Sequence, residues 1–176
     1  MSVFLQPLQT VTVGSGGAVA AIFSNIPQNY TDLYVEYSAR TTNTDTGSSI
    51  QVVAYQNNVG YPDSTASFTE LNGTGTGSAS INLTGQYLRV GYCDTANNTS
   101  NTFSNGSFYI PNYAGSNYKS VVADAVFEQN GTAAVQSLIA GLWRTTSGIN
   151  NLNIQTGRTF AQYSTFALYG VLRQGI

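Results

Sequence analysis

Charge is what this sequence has least of. Only 8% of its 176 residues are Asp, Glu, Lys or Arg, where a globular domain carries about 25%, and the formal net charge is −2. Surface polarity therefore has to come from the amides and hydroxyls of Asn, Gln, Ser and Thr. The basic residues Arg40, Arg89, Lys119, Arg144, Arg158 and Arg173 are scattered. No basic cluster exists to displace counterions from a phosphate backbone, and nucleic acid is not an expected partner. Histidine is absent, which removes the commonest general base and metal ligand together with Ser-His and Cys-His dyads. The single cysteine, Cys93, excludes an intrachain disulfide and leaves zinc without its usual ligands.

Long hydrophobic runs are missing as well. The longest, AVAAIF (18–23) and LIAGLW (138–143), fall far short of the ~20 residues of a membrane-spanning helix, so no membrane partner is expected. The N-terminus MSVFLQPLQT has neither the basic n-region nor the apolar core of a signal peptide, and Sec export is not expected. Asn-X-Ser/Thr triplets begin at Asn29, Asn72, Asn82, Asn97, Asn98, Asn105 and Asn130. In a chain this rich in the three residue types they follow from composition, and glycosylation is not expected.

What is present is strand signal. The hydrophobic fraction of 41%, with 12 Tyr and 8 Phe, is too apolar for a disordered chain. Short alternating runs recur between turn residues, as in a sandwich or a barrel. They are LQTVTV (8–13), AVAAIFS (18–24), TDLYVEYSAR (31–40), SIQVVAYQN (49–57), QYLRVGY (86–92), GSFYIPNY (106–113), YKSVVADAVFEQ (118–129), AAVQSLIAGLWRT (133–145), INNLNIQT (149–156) and YSTFALYGVLR (163–173). In 31–40, Leu33, Val35, Tyr37 and Ala39 share one face and Tyr34, Glu36, Ser38 and Arg40 the other, as a half-buried antiparallel strand requires. The expected core includes Leu33, Val35, Tyr37, Phe166, Leu168, Leu172 and Trp143. Asn130-Gly131 suits a type I′ turn closing a hairpin between 118–129 and 133–145. GSGG (14–17) is expected to be another hairpin turn. Pro111 places 106–113 at a sheet edge or breaks it there. The segments 71–82 and 93–106 read as polar excursions. One domain is expected, with an arm over 1–7 and a β-domain over 8–176.

Candidate chemistry is thin. Asp124 and Glu128 lie on one face of one strand, but roughly 13 Å apart along it, wider than the ~5–9.5 Å of glycosidase carboxyl pairs. Asn43, Asp45 and Gly47 begin like a calcium loop, yet Ser48 and Ala54 stand where an EF-hand needs Gly and an acid. GSGG has no P-loop Lys after it. The many Tyr serve either strand packing or a sugar-binding surface. No catalytic, metal or cofactor residue is expected, and the chain does not read as an enzyme.

Three segments together resemble a known group: TVTVGSGGAVAAIFSNIPQNYTDLYVEYSAR (10–40), GSFYIPNYAGSNYKSVVADAV (106–126) and IAGLWRTTSGINNLNIQTGRTFAQYSTFALYG (139–170). They are similar to structural proteins of tailed-bacteriophage virions, in which a VGSGGA opening with IPQ.Y.DL, a YIPNYA middle, a GLWR strand and a closing F.LYG recur in this order. The resemblance leaves 58–84 and 93–105 uncovered. It implies an all-β, single-domain antiparallel sandwich, jelly-roll-like, in a virion protein without a catalytic motif. Such domains occur at the ends of tail fibres and as free-standing head decoration. Because the chain begins and ends close to the domain, the leading expectation is a capsid decoration (cement) protein on the outside of the head, assembled in the host cytoplasm. Its expected partners are the major capsid protein and itself, as a homotrimer. The alternative is a tail or head-fibre protein that binds a host surface glycan. The N-terminal Val3, Phe4 and Leu5, three consecutive apolar residues ahead of the first expected strand, are the candidate subunit or capsid contact.

Overall fold

A computed structural model describes residues 3–45, 47–56, 59–60, 65–75, 77–128 and 134–173. Thirteen strands and no helix are found among them: β1 (Val3–Thr12), β2 (Ala18–Phe23), β3 (Asp32–Ala39), β4 (Ser48–Gln56), β5 (Val59–Gly60), β6 (Ala66–Gly73), β7 (Ser78–Gly85), β8 (Leu88–Cys93), β9 (Ser104–Pro111), β10 (Lys119–Glu128), β11 (Ala134–Trp143), β12 (Asn151–Phe160) and β13 (Thr165–Arg173). They form two antiparallel sheets. The larger runs β1-β13-β3-β9-β10-β11-β6-β7, and the smaller runs β2-β12-β4, with β8 and the short β5 both on β4.

Setting aside β5–β7 and β10–β11 leaves β1-β13-β3-β9 facing β2-β12-β4-β8. This is the strand order of a jelly roll, the eight-stranded double Greek key. The remaining strands are insertions, and β6, β7, β10 and β11 all extend the larger sheet. The fold is therefore an all-β, jelly-roll sandwich.

The core lies where period-2 strands of the two sheets face each other. On β3 and β13 the residues of the central core are Leu33, Val35, Tyr37 and Ala39 against Phe166 and Leu168. They are met from the smaller sheet by Phe23, Ile50, Val52, Leu152, Ile154 and Phe160. Trp143, at the end of β11, is fully buried, as expected. Leu172 is not in the core: it keeps the inward phase of β13 but is 40% exposed, paired with the still more exposed Phe4. The larger sheet continues past the smaller one there, so an inward-phased side chain finds no second layer.

One close approach fixes the spacing of the layers. On β8 the extra residue Val90 makes a bulge against Ile50 and Gln51 of β4, and Gly91 beside it has φ +147. A Cβ at Gly91 would stand 2.2 Å from the Tyr37 hydroxyl and 2.5 Å from the Ala125 methyl. Only glycine lets β8 lie this near the larger sheet.

Several local expectations change. GSGG does turn tightly, with the Gly17 amide bonded to the Gly14 carbonyl at 3.0 Å, but β1 and β2 belong to different sheets, so it is a corner of the sandwich and not a hairpin. Pro111 ends β9 as expected; β9 itself is central, lying between β3 and β10. The stretch 71–82 is largely ordered as the β6–β7 hairpin. β10 and β11 pair throughout, from Lys119 with Trp143 to Glu128 with Ala134, while the Asn130-Gly131 turn expected between them falls outside the described residues.

Candidate functional site

The outward residues of the larger sheet fall into rows set by its register. One row runs Ala167, Glu36, Ser107, Asp124, Leu138 and Leu71 across β13, β3, β9, β10, β11 and β6. The row on one side begins Tyr169, Tyr34, Tyr109 and Val122. On the other side it runs Thr165, Ser38, Asn105 and Val126. Tall tyrosines thus flank short hydroxyl and amide side chains, and the height difference opens a groove of about 370 Å3. Glu36 and Asp124 both line it with Ser107 at the register position between them, and the paired Tyr37 and Gly106 lie one position along, toward Ser38 and Asn105.

The two carboxylates stand two strand spacings apart, roughly 9.5 Å at the backbone. Each is held by a hydroxyl. Tyr169 donates to Oε1 of Glu36 at 2.6 Å, and Ser107 donates to Oδ1 of Asp124 at 2.7 Å. The bond to Glu36, with a smaller contribution from burial, raises the Tyr169 phenol above its ordinary value, so it stays a donor. Tyr34 and Tyr169 lean together with ring centroids 6.0 Å apart. At the end of the tyrosine row, Asp32 is buried and accepts from the Tyr109 hydroxyl and from the Asn112 amide at 2.9 Å. Neither Glu36 nor Asp124 has a cationic partner among the described residues. The described basic side chains are engaged elsewhere: Arg40 on the carbonyls of Asn98, Thr99 and Thr102, Lys119 on those of Gly115 and Asn117, Arg89 on Glu70, Arg144 on Ser67, and Arg158 on Asp45.

Beyond Asp124 the same face turns apolar. Val122, Leu138 and Leu71 are each more than half exposed and lie on neighbouring strands.

The residues weighed from sequence are placed as follows. Asp124 lines the groove with Glu36, which comes from another strand, while Glu128 turns away and accepts from the Thr99 amide. Asp45 is occupied by Arg158 at 3.1 Å and by the Asn43 amide at 2.7 Å, and no group of three His, Cys, Asp or Glu gathers among the described residues. Cys93 is buried, and burial pushes its thiol far above the ordinary range, the condition of an unreactive structural thiol. Val3, Phe4 and Leu5, expected ahead of the first strand, are its first residues, paired with Arg173, Leu172 and Val171. Phe4 and Leu5 are more than half exposed on this sheet edge. Glu36 and the tyrosine row were missed as a site. The period-2 phase of β3 and β10 puts Glu36 and Asp124 on outward faces, but only the order β3-β9-β10 brings them together. No family model matches the chain, and no curated protein is detectably similar to it in sequence.

Proposed function

We propose that the chain is a bacteriophage virion structural protein, a capsid decoration protein attached to the outer surface of the head. The observation that carries this reading is the free edge of β1. It is ten residues long, pairs among the described residues only with β13, and presents Phe4 and Leu5 to solvent next to the exposed Leu172. A free strand edge is a template for a neighbouring chain, and the exposed Phe4 and Leu5 at its start have reason to be covered. Support also comes from the resemblance of 10–40, 106–126 and 139–170 to phage structural proteins, and from the jelly roll, an architecture that viral capsid and lectin domains share. The major capsid protein is the proposed partner. A homotrimer is proposed as well, since closed cyclic assemblies are the rule for such subunits and the patch of Val122, Leu138 and Leu71 is a surface that copies could bury.

The test is binding of the purified chain to undecorated heads of a tailed phage that encodes it. Retention is expected to persist at ~1 M salt, where the Debye length is ~3 Å, and to fall when Phe4 and Leu5 are replaced by Ser, with an unchanged circular dichroism spectrum. Release by salt, or retention indifferent to both substitutions, would overturn the reading. Copy number separates the head from the tail or a fibre: hundreds per particle on the head, a few to tens elsewhere.

A further inference from the structure

We propose that the groove on the outer face of the larger sheet binds a neutral saccharide, held between Glu36 and Asp124 against the ring of Tyr34. The proposal stands whether or not the chain belongs to a virion.

A sugar offers a ring of hydroxyl donors and a weakly apolar C–H face. The groove supplies what each part needs. Tyr169 and Ser107 engage one oxygen of each carboxylate, leaving the second oxygen of Glu36 and of Asp124 without a partner among the described residues. Both carboxylates line the groove, two strands apart across Ser107. Ser38, Asn105 and Thr165 on its floor both donate and accept. Tyr34 gives a rigid amphipathic wall, braced by Tyr169, of the kind that contributes contact area at little entropic cost. The volume of about 370 Å3 lies at the small end of the ~300–1,000 Å3 of ligand pockets, suited to a short saccharide and too small for a folded partner.

Electrostatics narrows the class. Two carboxylates with no cation among the described residues repel anionic sugars such as sialic acid. A metal ion fits poorly as the occupant. Calcium holds its oxygens at 2.3–2.6 Å, so two ligands to one ion lie within about 5 Å of each other, whereas these carboxylates start roughly 9.5 Å apart at the backbone and Tyr169 tethers Glu36 from the β13 side. Hydrogen bonds from neutral hydroxyls to fixed carboxylates are the strong kind, and the distance between the two acceptors is bridged by the sugar itself.

The experiment is isothermal titration and saturation-transfer NMR of the full chain with methyl glycosides of glucose, galactose, mannose and N-acetylglucosamine and their disaccharides, with sialyllactose as the anionic control. Millimolar or tighter binding of at least one neutral probe is expected, with sialyllactose inert. Glu36→Gln and Asp124→Asn are each expected to weaken it by about tenfold, the loss of one charge-assisted hydrogen bond, and Tyr34→Ala by a similar factor. All three positions face outward, so thermal melting of each variant is expected to match that of the parent and a lost signal reports the site. The proposal fails if no neutral probe titrates at tens of millimolar, if sialyllactose binds as well as the neutral probes, or if binding survives all three substitutions.

Discussion

Two hairpins are inserted into the same jelly roll and extend the same sheet, yet they are written differently. β10–β11 alternates strictly: Val121, Ala123, Ala125 and Phe127 are buried, while Val122, Asp124 and Val126 are exposed. β6–β7 loses that pattern strand by strand. β6 still buries Ala66, Phe68 and Glu70, but no residue of β7 is fully buried. The difference lies in what stands opposite. β8 of the smaller sheet runs under β10 and β11, placing Leu88 against Gly141 and Gly91 against Ala125. Under β6 it supplies polar side chains: Arg89, whose guanidinium lies 5.3 Å from the Phe68 ring centroid and pairs with buried Glu70 at 2.9 Å, and Tyr92, whose hydroxyl donates to the same carboxylate at 3.4 Å. The inward face of β7 meets no second layer among the described residues. A strand shows its alternation in sequence only where one face is covered.

The comparison predicts a graded response. The largest effect is expected at Trp143, fully buried at the base of β11. Trp143→Ala should cost about 3–5 kcal/mol, read as a shift of the urea midpoint. A loss under 1 kcal/mol would mean that β11 is not anchored by the core as described.

A smaller, pH-dependent effect is expected at Asp94. Its Oδ1 accepts the Glu128 amide at 3.0 Å, pinning the end of β10. Burial raises its pKa above the ordinary carboxylate value, so the folded state holds this proton more tightly than the unfolded chain. The corresponding stability is present below the unfolded pKa and is lost as pH rises through the folded one. Asp94→Asn keeps the acceptor and removes the titration. Urea midpoints between pH 3 and 7 should fall less steeply with rising pH in the variant than in the parent, and a steeper fall would reverse the assignment.

The smallest effect is expected on β7. Leu83 pairs with Phe68 but is 45% exposed, so Leu83→Ser should change stability by no more than about 0.5–1 kcal/mol. A cost comparable to that of Trp143→Ala would show that β7 is covered after all.

Legibility followed the same rule. On β3 the alternation of Leu33, Val35, Tyr37 and Ala39 specified the buried face correctly, because a second sheet covers it along its length. On β13 the same reasoning held for Phe166 and Leu168 and failed at Leu172, since a period-2 pattern cannot tell where the opposing sheet stops. The segment 71–82 read as an excursion because its Gly, Ser, Thr and Asn match a loop as well as an uncovered edge hairpin. Residues 1–7 read as an arm because Val3, Phe4 and Leu5 lie just ahead of the alternating run at 8–13, yet from Val3 onward they form the start of β1 despite Pro7. The structure accommodates it with a register shift between Pro7 and Gln9 on a sheet edge, where a missing amide donor costs little. The groove was legible only as separate halves, an outward Glu36 on one strand and an outward Asp124 on another.

By itself the sequence determined that the chain is all β, which faces of its central strands are buried, and that histidine chemistry and an intrachain disulfide are closed to it. These follow from steric and solvation preferences that act residue by residue along a strand. Only the tertiary structure decided the jelly-roll order, the place of the two inserted hairpins and the meeting of Glu36 with Asp124 across Ser107. Strand pairing joins residues as far apart in sequence as Glu36 and Ser107 through backbone groups that are the same on every strand. Which strand neighbours which is therefore set by the packing of whole layers and leaves no mark at the residues it brings together.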